Sequence, residues 1–489
     1  MEGEEFIQEI LNKGMRLTPE ALELVEKIEN KKNTLNLLIE GNFKIITKDD
    51  IESIISEYEK IPEPEVEIRR SDSFEPIAKE YSPRIRLYPD KDITNNSRCT
   101  GKPEDFVAYF RSRMSMMKSL LHERMGENPI IKISDLRKRP NEGVRLIGMI
   151  VEIRTSQKGN LILEVEDEED IGLVIVTKSD KDLFDLASKI TLDDILLFDG
   201  KVYNGLLMAK EINWPDIPIM KEKKKIEEDL AVAYLSDLHV GSRFFLEKEF
   251  NKFLDWLNGN ERDKELAGKI KYISISGDIA DGIGAYPGQE EELIVKDIYK
   301  QYEIFSDLME KVPDYIKIIV SPGNHDAVRR AQPQPQISDE LLKGKGMLKV
   351  GSPSWVDLEG FKHLIYHGDS LDSIISSLSN CDYAHPEIPM IELLKRRNLS
   401  PIYGKNVIVP EKKDYLMIDE VPDILHMGHI HKNAYSVYRG VHIINSGTFQ
   451  ERTEFQIKQG HIPTPGIVPI LLMKTGEVIH KKFIGENNG

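Results

Sequence analysis

The sequence predicts a multi-domain α/β protein, in which a small N-terminal helical module precedes an OB-type β-barrel and a two-layered α/β-sandwich domain. Three observations lead to this prediction. The chain has 489 residues, more than one hydrophobic core usually supports. Residues 143–213 read as short strands joined by turns and interrupted by one helix. From about residue 230, strand and helix patterns alternate, as they do in layered α/β domains.

Residues 1–60 are expected to form the helical interaction module. Thr18 followed by Pro19 is a typical helix start, because Thr caps free N–H groups and Pro suits the first helical position. The next segment, residues 61–100, is rich in Pro, Ser, Asn and acidic residues, as in IPEPEVEIRRSDSFEP. This composition predicts a flexible linker.

Residues 101–222 are expected to combine one helix with the OB-type barrel. The helix begins at Pro103, and the strands that follow include VRLIGMIVEIRT and NLILEVED. A helical stretch between the third and fourth strands is typical of five-stranded OB barrels. Such a barrel either contacts single-stranded nucleic acid or serves as a structural spacer. The aromatic residues of these strands are Phe198 and Tyr203, so any stacking surface is small.

Residues 223–489 are expected to form the α/β-sandwich domain, and its predicted strands end in residue types that bind metals. The motifs at these ends are SDLH (236–239), GD (277–278), GNHD (323–326), HGD (367–369) and GHIH (428–431). Because strand ends in open α/β sheets line one crevice, we expect these side chains to meet. The side chains of metal-binding or acid–base type at these ends are Asp237, His239, Asp278, Asn324, His325, Asp326, His367, Asp369, His429 and His431.

This mixture of residue types points to a pair of divalent metal ions. Two ions roughly 3.5–4 Å apart need one carboxylate able to bridge them. Ligands of the His, Asp and Asn types without Cys favour Mn²⁺, Fe²⁺ or Zn²⁺ over Mg²⁺ or Ca²⁺ alone. Mn²⁺ is our first expectation, with Fe²⁺ and Zn²⁺ open. One such motif is weak evidence, whereas five in this order at strand ends are a strong joint signal.

The charge balance limits how this protein could bind nucleic acid. The net charge is −17 at pH 7, whereas proteins that hold nucleic acid by bulk electrostatics are basic. A nucleic-acid role therefore needs bound cations, a more basic partner or local patches. Basic runs at 221–225, 329–330 and 395–397 are either such patches or ordinary solvated surface.

Composition also excludes several classes of protein. Two cysteines, Cys99 and Cys381, cannot form a disulfide framework, which indicates a reducing compartment. No apolar run approaches the roughly 18 residues of a membrane span. The acidic start MEGEEFIQEI lacks the basic-then-apolar order of a signal peptide. We therefore expect a cytoplasmic protein with no membrane partner.

The order of the motifs resembles that of the calcineurin-like metallophosphoesterase superfamily, which includes the double-strand-break repair nucleases. The pattern there is D-x-H, G-D, G-N-H-D or -E, a lone H and G-H-x-H, and every position is filled in this sequence. The resemblance implies one ion held by Asp237, His239, Asp278 and His431. It implies a second ion held by Asp278, Asn324, His367 and His429, with Asp278 as the bridge. It leaves His325 to protonate the leaving oxygen and Asp326 to orient His325.

The order of domains resembles the small subunits of archaeal family D DNA polymerases from about residue 100 to the end. The stretches that carry this likeness include YLSDLHVGS, SPGNHDAVRRAQPQP and INSGTFQERTEFQIKQGHIPTPGIVPI. The resemblance implies a proofreading 3′–5′ exonuclease that acts on DNA 3′ ends beside a large catalytic polymerase subunit. A contact with a sliding clamp is expected only through that complex, because QISDELL lacks the paired aromatics of a clamp peptide. Two alternatives stay open: a phosphatase of the same superfamily, and a subunit that mainly organises the polymerase assembly.

Overall fold

The structure is a computed structural model that describes residues 3–22, 24–25, 31, 34–35, 38, 44–48, 50–51, 74–219, 224–344, 346–458 and 460–485. It divides into two compact units, Met1–Ile68 and Arg69–Gly489. The helices are α1 (Gly3–Asn12), α2 (Pro19–Leu22), α3 (Pro103–His122), α4 (Lys181–Ala187), α5 (Glu247–Leu257), α6 (Lys264–Lys269), α7 (Ile298–Glu310), α8 (Leu371–Ser377), α9 (Glu387–Arg396) and α10 (Glu454–Lys458). The strands are β1 (Arg16–Leu17), β2 (Ile45–Ile46), β3 (Ile85–Leu87), β4 (Ile130–Ile131), β5 (Gly143–Thr155), β6 (Leu161–Glu166), β7 (Ile171–Val176), β8 (Ile195–Tyr203), β9 (Leu206–Asn213), β10 (Ala231–Leu235), β11 (Ile270–Ser276), β12 (Lys317–Ser321), β13 (Met347–Lys349), β14 (Ser354–Leu358), β15 (Phe361–Ile365), β16 (Ile424–Met427), β17 (Asn433–Tyr438), β18 (Val441–Ser446), β19 (Ile467–Leu472) and β20 (Glu477–Lys482).

The N-terminal unit has its own small apolar core. Helices α1 and α2 accompany the short parallel pair β1 and β2. The hydroxyl of Thr18 accepts a hydrogen bond from the backbone N–H of Ala21 at 3.3 Å, which confirms the predicted start of α2. The buried side chains include Phe6, Ile10 and Ile46. These helices and their small apolar core fit the expected helical module.

The predicted flexible linker over residues 61–100 is wrong for residues 74–100, and residues 61–73 lie outside the described residues. Strand β3 pairs antiparallel with β14 and so becomes the edge of a sheet. Ala78 is fully buried. The carboxylate of Asp92 accepts hydrogen bonds from the backbone N–H of Gly351 at 2.7 Å and the hydroxyl of Ser354 at 3.0 Å. Partners far along the chain therefore fix a segment whose composition is that of a loop.

The predicted OB-type barrel is confirmed as a closed five-stranded barrel. Strands β5, β6, β7, β9 and β8 are neighbours in that order, and β5 also pairs with β8. Helix α4 lies between β7 and β8, at the predicted place. Phe198 is fully buried in the barrel core, whereas the side chain of Tyr203 is 59% exposed. The barrel strands therefore offer Tyr203 as a stacking residue but not Phe198.

A buried ion pair connects α3 to the domain that follows the barrel. Arg113 Nε donates to Asp414 Oδ2 at 2.7 Å, and both side chains are buried. The guanidinium also donates to the hydroxyl of Tyr109 and the carbonyl oxygen of Pro401. Removal of one partner of a buried pair leaves an uncompensated charge, at a cost of about 3–5 kcal/mol. Helix α3 is therefore a structural bridge to that domain.

The predicted α/β-sandwich is confirmed as two six-stranded sheets that pack face to face. Their strand orders are β13-β12-β11-β10-β19-β20 and β17-β18-β16-β15-β14-β3. The inner faces share an apolar cluster that includes Tyr234, Tyr272, Val356 and Ile444. Helices α5 and α7 cover the outer face of the first sheet, and α8 and α9 cover the outer face of the second. Strand β10 has every residue buried, as expected for a strand covered on both faces.

Within the described residues, no helix combines the length and the apolar character that crossing a membrane requires.

Candidate active site

The seven predicted metal ligands converge at the carboxyl ends of strands from both sheets. They follow β10, β11 and β12 in the first sheet and β15 and β16 in the second. Five of them, together with His325, form three overlapping groups whose possible ligand atoms lie within 4.8 Å of one another, namely Asp237, His239 and His431, then His239, Asp278 and His325, then Asp237, Asp278 and His367. The predicted crevice therefore exists, and two sheets rather than one build it.

One half of the site contains Asp237, His239 and His431. His431 Nε2 lies 3.3 Å from Asp237 Oδ1 and 3.0 Å from His239 Nε2. His239 Nε2 lies 3.8 Å from Asp278 Oδ2, so the first half reaches the carboxylate between β11 and β12. These four side chains are the set that the family resemblance implies for the first ion.

The other half of the site contains Asn324, His367 and His429. His367 Nε2 lies 3.2 Å from Asp278 Oδ2 and 3.0 Å from Asn324 Oδ1. His429 Nδ1 lies 3.0 Å from the same Asn324 oxygen. Asp278 thus contacts imidazoles of both halves, which is the position that a bridging carboxylate needs.

The outward-facing nitrogens of two histidines have fixed partners. His367 Nδ1 donates to the carbonyl oxygen of Ser276 at 2.7 Å, and His239 Nδ1 lies 2.9 Å from Asp281 Oδ1. A carbonyl can only accept, so the proton of neutral His367 is on Nδ1 and the lone pair of Nε2 faces the site. Metal-binding histidines usually have such a partner on the second nitrogen.

The remaining two histidines are held in a similar way. His429 Nε2 lies 3.0 Å from Asp372 Oδ2, and His431 Nδ1 lies 2.8 Å from the side-chain amide nitrogen of Gln456. The backbone N–H of His429 also donates to the Asp237 carboxylate at 2.9 Å. Each imidazole therefore has a fixed orientation, with one nitrogen towards the centre.

Backbone strain is concentrated on these ligands. Five of them are non-glycine residues with left-handed backbone angles, namely Asp237 (φ 53°), His239 (φ 53°), Asp278 (φ 51°), His429 (φ 67°) and His431 (φ 57°). A conformation of this kind costs on the order of 1–3 kcal/mol per residue and persists where the surroundings enforce it. Such clusters are typical of functional sites.

Two glycines permit the close approach of backbone to the carboxylates. A Cβ atom on Gly323 would lie 2.2 Å from Asp278 Oδ1, and one on Gly428 would lie 2.4 Å from Asp237 Oδ2. No side chain fits at these distances, so the GNHD and GHIH motifs need glycine at their first positions.

Neighbouring aspartates and histidines in the site stabilise one another's charged forms and so shift their pKa values. Burial opposes the charged form of Asp278, but the neighbouring His367 and His325 lower its pKa well below its ordinary value. Burial also opposes charge on His239, yet its bond to Asp281 and the charge of Asp278 raise its pKa to about 9. Ligation needs neutral imidazoles, so cations and protons compete for these nitrogens.

The donor set fits two divalent cations. Asp278 stands between the two halves, each half adds imidazole nitrogens, and the second nitrogen of each imidazole is anchored. Carboxylate, amide and imidazole donors suit Mn²⁺, Fe²⁺ and Zn²⁺. The ligand chemistry is common to these three metals.

His325 borders the same cavity, but its orientation does not come from Asp326. His325 Nδ1 donates to the carbonyl oxygen of Asp281 at 2.7 Å. The Asp326 carboxylate instead accepts hydrogen bonds from the backbone N–H groups of Gly323 and Ala280 and from the hydroxyl of Tyr302. The prediction that Asp326 orients His325 is therefore wrong. The Asp326 carboxylate instead fixes the backbone of the GNHD turn.

Sequence reasoning missed several residues of the site. Asp281 holds His239 through its carboxylate and His325 through its carbonyl. Its position three residues after Asp278 was a signal in the sequence, since GDIAD carries two aspartates. A cavity of about 250 Å³ lies over the centre, and its other lining residues include Tyr286, Asp372, Tyr383, Gln450, Gln456 and His461. They come from loops and from helices α8 and α10, and folding brings them to the centre from separate parts of the chain.

Comparisons with known proteins agree with this geometry. A profile of the calcineurin-like phosphoesterase family matches residues 230–443. The DNA polymerase II small subunit of Methanocaldococcus jannaschii is 42% identical over 415 residues, covering 83% of this chain and 70% of that protein. The one of Archaeoglobus fulgidus is 43% identical over 408 residues, covering 82% of each. The one of Methanothermobacter thermautotrophicus is 39% identical, covering 88% of this chain and 89% of that protein.

The similarity to solved structures is weaker. A structure described as a novel archaeal phosphodiesterase covers 52% of this chain and 99% of its own, with 14% identity and a TM-score of 0.28, which is too low to support an argument. The DNA polymerase II small subunits establish the family of this chain, because they are 42% and 43% identical to it over most of both chains. This chain carries a calcineurin-like metallophosphoesterase domain and belongs to the DNA polymerase II small-subunit family.

Proposed function

We propose that this chain is the proofreading 3′–5′ exonuclease subunit of a two-subunit replicative DNA polymerase. The observation that carries the proposal is the convergence of the seven candidate ligands beneath one cavity with His325 at its side. A subunit kept only for assembly would have no need for five strained ligand residues or for the glycines packed against their carboxylates.

The chemistry divides between the cations and the chain. Two divalent ions, for which Mn²⁺ is our choice, would supply Lewis acidity at the scissile phosphate. Asp237, His239, Asp278 and His431 would hold one of them. Asn324, His367 and His429, together with Asp278, would hold the other. The charges of the ions also explain how a protein of net charge −17 could accept a polyanion.

His325 is the proposed general acid. Because the Asp281 carbonyl fixes the proton of its Nδ1, Nε2 is the nitrogen that can exchange a proton with the leaving oxygen. Burial lowers the pKa of His325, so the free protein favours the neutral ring. A phosphodiester anion in the cavity would favour the protonated ring, which places the acid in its active form when substrate is bound.

The partners follow from the names of the relatives. Each is a small subunit, which implies a large subunit, and we propose that this chain forms a heterodimer with a large catalytic polymerase chain. The second proposed partner is DNA with a 3′ end. A mismatched end unpairs more easily than a matched one, which would deliver it to the cavity preferentially. Any sliding-clamp contact would be made through the complex.

A nuclease assay tests the proposal. A 5′-labelled single-stranded oligonucleotide is incubated with Mn²⁺ and the full-length chain, alone and with the large subunit, and Asp278→Asn serves as the control for contaminating nucleases. We expect products shortened one nucleotide at a time from the 3′ end. Activity confined to p-nitrophenyl phosphate would support a phosphatase. Absence of hydrolysis under both conditions, with tight binding of the large subunit, would support an assembly role.

A further inference from the structure

Two aromatic side chains from separate loops meet at the side of the cavity. Tyr383 lies between α8 and α9, and His461 follows α10. Their ring centroids are 4.0 Å apart with an interplanar angle of 33°, so the rings are in close contact and tilted towards one another. Both are partly buried and both line the cavity above the centre. This pair has no part in the hydrogen bonds that position His325.

The ring of Tyr383 is fixed from two directions. The ring of His461 lies against the ring of Tyr383. The hydroxyl of Tyr383 donates to the carboxylate of Asp372. Asp372 in turn lies 3.0 Å from Nε2 of the predicted ligand His429. A ring held in advance loses little freedom when a ligand stacks on it, so binding there carries a small entropic cost.

The cavity extends from this pair to the proposed acid. His325 borders it beside Tyr286, whose ring centroid is 6.1 Å from that of His325. A phosphodiester at the centre therefore has the acid near its leaving oxygen and aromatic surface within the same cavity. Every nucleobase has a π-face that stacks on aromatic rings with little dependence on sequence, as an exonuclease requires.

We propose that Tyr383 and His461 form a platform on which the base of the 3′-terminal nucleotide stacks, so that its phosphodiester lies at the metal centre. This inference rests on the proposed exonuclease function and names the substrate contact that positions the 3′ end. Tyr383 contributes the fixed ring, and its hydroxyl links the platform to Asp372. Phenylalanine at position 383 therefore retains stacking and loses only that link.

Fluorescence tests the platform without turnover. The full-length chain is mixed with a single-stranded oligonucleotide that carries 2-aminopurine at its 3′ terminus, with EDTA present, and anisotropy of a 5′ dye reports binding. Stacking quenches 2-aminopurine, so we expect quenching with the wild type and with Tyr383→Phe. Tyr383→Ala and His461→Ala should lose most of it. Tyr299→Ala is the matched control, because Tyr299 is 64% exposed on α7, and it should quench like the wild type.

A kinetic comparison supplies the second test. With Mn²⁺, each variant is assayed on oligonucleotides that end in a normal nucleotide or in an abasic one. The wild type and Tyr383→Phe should prefer the normal end by on the order of tenfold in kcat/KM, since one stacked base contributes about 1–3 kcal/mol. Tyr383→Ala should show a ratio near one. Each ratio is internal to one protein, so a general loss of activity does not affect it.

The possible outcomes separate this inference from the proposed function. Quenching and end preference that survive in Tyr383→Ala, while the DNA binds and is shortened, would overturn the platform and leave the exonuclease proposal intact. Failure of the wild type to bind or shorten DNA would overturn both. Loss of quenching in Tyr383→Ala with retention in Tyr383→Phe and Tyr299→Ala would support the platform.

Discussion

Histidines in two regions of the sandwich are equally buried but differ in their electrostatic setting. At the strand ends, His239 has carboxylates beside it, and the pKa of His239 is raised to about 9. Between the sheets, the partners are neutral: His363 Nε2 lies 2.9 Å from the hydroxyl of Tyr234, and His426 Nδ1 lies 2.9 Å from that of Ser274. Burial lowers the pKa of His363 to about 4 and that of His426 to about 3.

The difference teaches that neighbours, and not burial, assign the role of a histidine here. His239 and His367, whose pKa values are raised despite burial, can exchange a proton for a cation beside Asp278. His363 and His426 stay neutral and join the sheets through hydrogen bonds. Substitutions in the first region should therefore remove metal and activity, and substitutions in the second should remove stability.

The largest expected effect follows from Asp278→Asn, which removes the bridging charge with little change in shape. Loss of the metals removes several kcal/mol of transition-state stabilisation, so turnover should fall on the order of 10³-fold or more. Elemental analysis should show loss of both ions. Asp307→Asn, on the exposed side of α7, is the matched control. Two equivalents of metal retained by the Asp278 variant would contradict the bridging role.

A somewhat smaller effect is expected from His325→Ala. A positioned proton donor contributes about 10²–10⁴-fold to rate, so turnover should fall by that factor. His325 is not among the seven ligands, so the metal content should stay near that of the wild type. Elemental analysis beside steady-state kinetics measures both quantities. If the variant loses its metals, His325 is a ligand and the assignment of roles is wrong.

Substitution of an interior histidine should lower the stability of the fold and leave the metal content and turnover unchanged. His363→Phe keeps an aromatic ring but leaves the buried hydroxyl of Tyr234 without this partner, at a cost of about 1–3 kcal/mol. We expect a lower Tm and unchanged metal content and turnover. His385→Ala, at a position whose side chain is 59% exposed, should leave the Tm unchanged. A loss of metal in His363→Phe would break the distinction between the two regions.

The most specific effect is on the pH dependence of stability. The folded protein holds His363 and His426 neutral, whereas in the unfolded chain they gain protons below a pKa of about 6.5. Their stabilising contribution is present above that pH and is lost as the pH falls towards 4 and 3. The free energy of unfolding should decline by up to about 1.4 kcal/mol per pH unit for each histidine. His363→Phe should show a shallower decline of Tm between pH 6.5 and 4.5.

The sequence was informative where the chemistry is local. The convergence of the candidate ligands could be predicted because each motif directly follows a strand, and the left-handed angles and glycines belong to those same motifs. Asp326 was misassigned because its neighbour in sequence, His325, turns to a carbonyl from another loop. Asp281 was missed although GDIAD carries it, and Asp372 was missed because only folding brings it to His429.

The same limit applies to the fold. Parallel strands of the sandwich could be predicted from their apolar runs. The loop-like composition of residues 74–100 predicted the wrong structure, because Gly351 and Ser354 supply hydrogen-bond partners for Asp92. Hydrogen bonds to distant residues outweigh local preference in that segment, and no window of sequence contains them.

The most direct test of the central claim is anomalous diffraction from crystals of the wild-type protein grown with Mn²⁺. Data collected at the manganese edge should show two peaks on either side of the Asp278 carboxylate. One peak should lie beside Asp237, His239 and His431, and the other beside Asn324, His367 and His429. A single peak away from Asp278, or no peak at these side chains, would contradict the account.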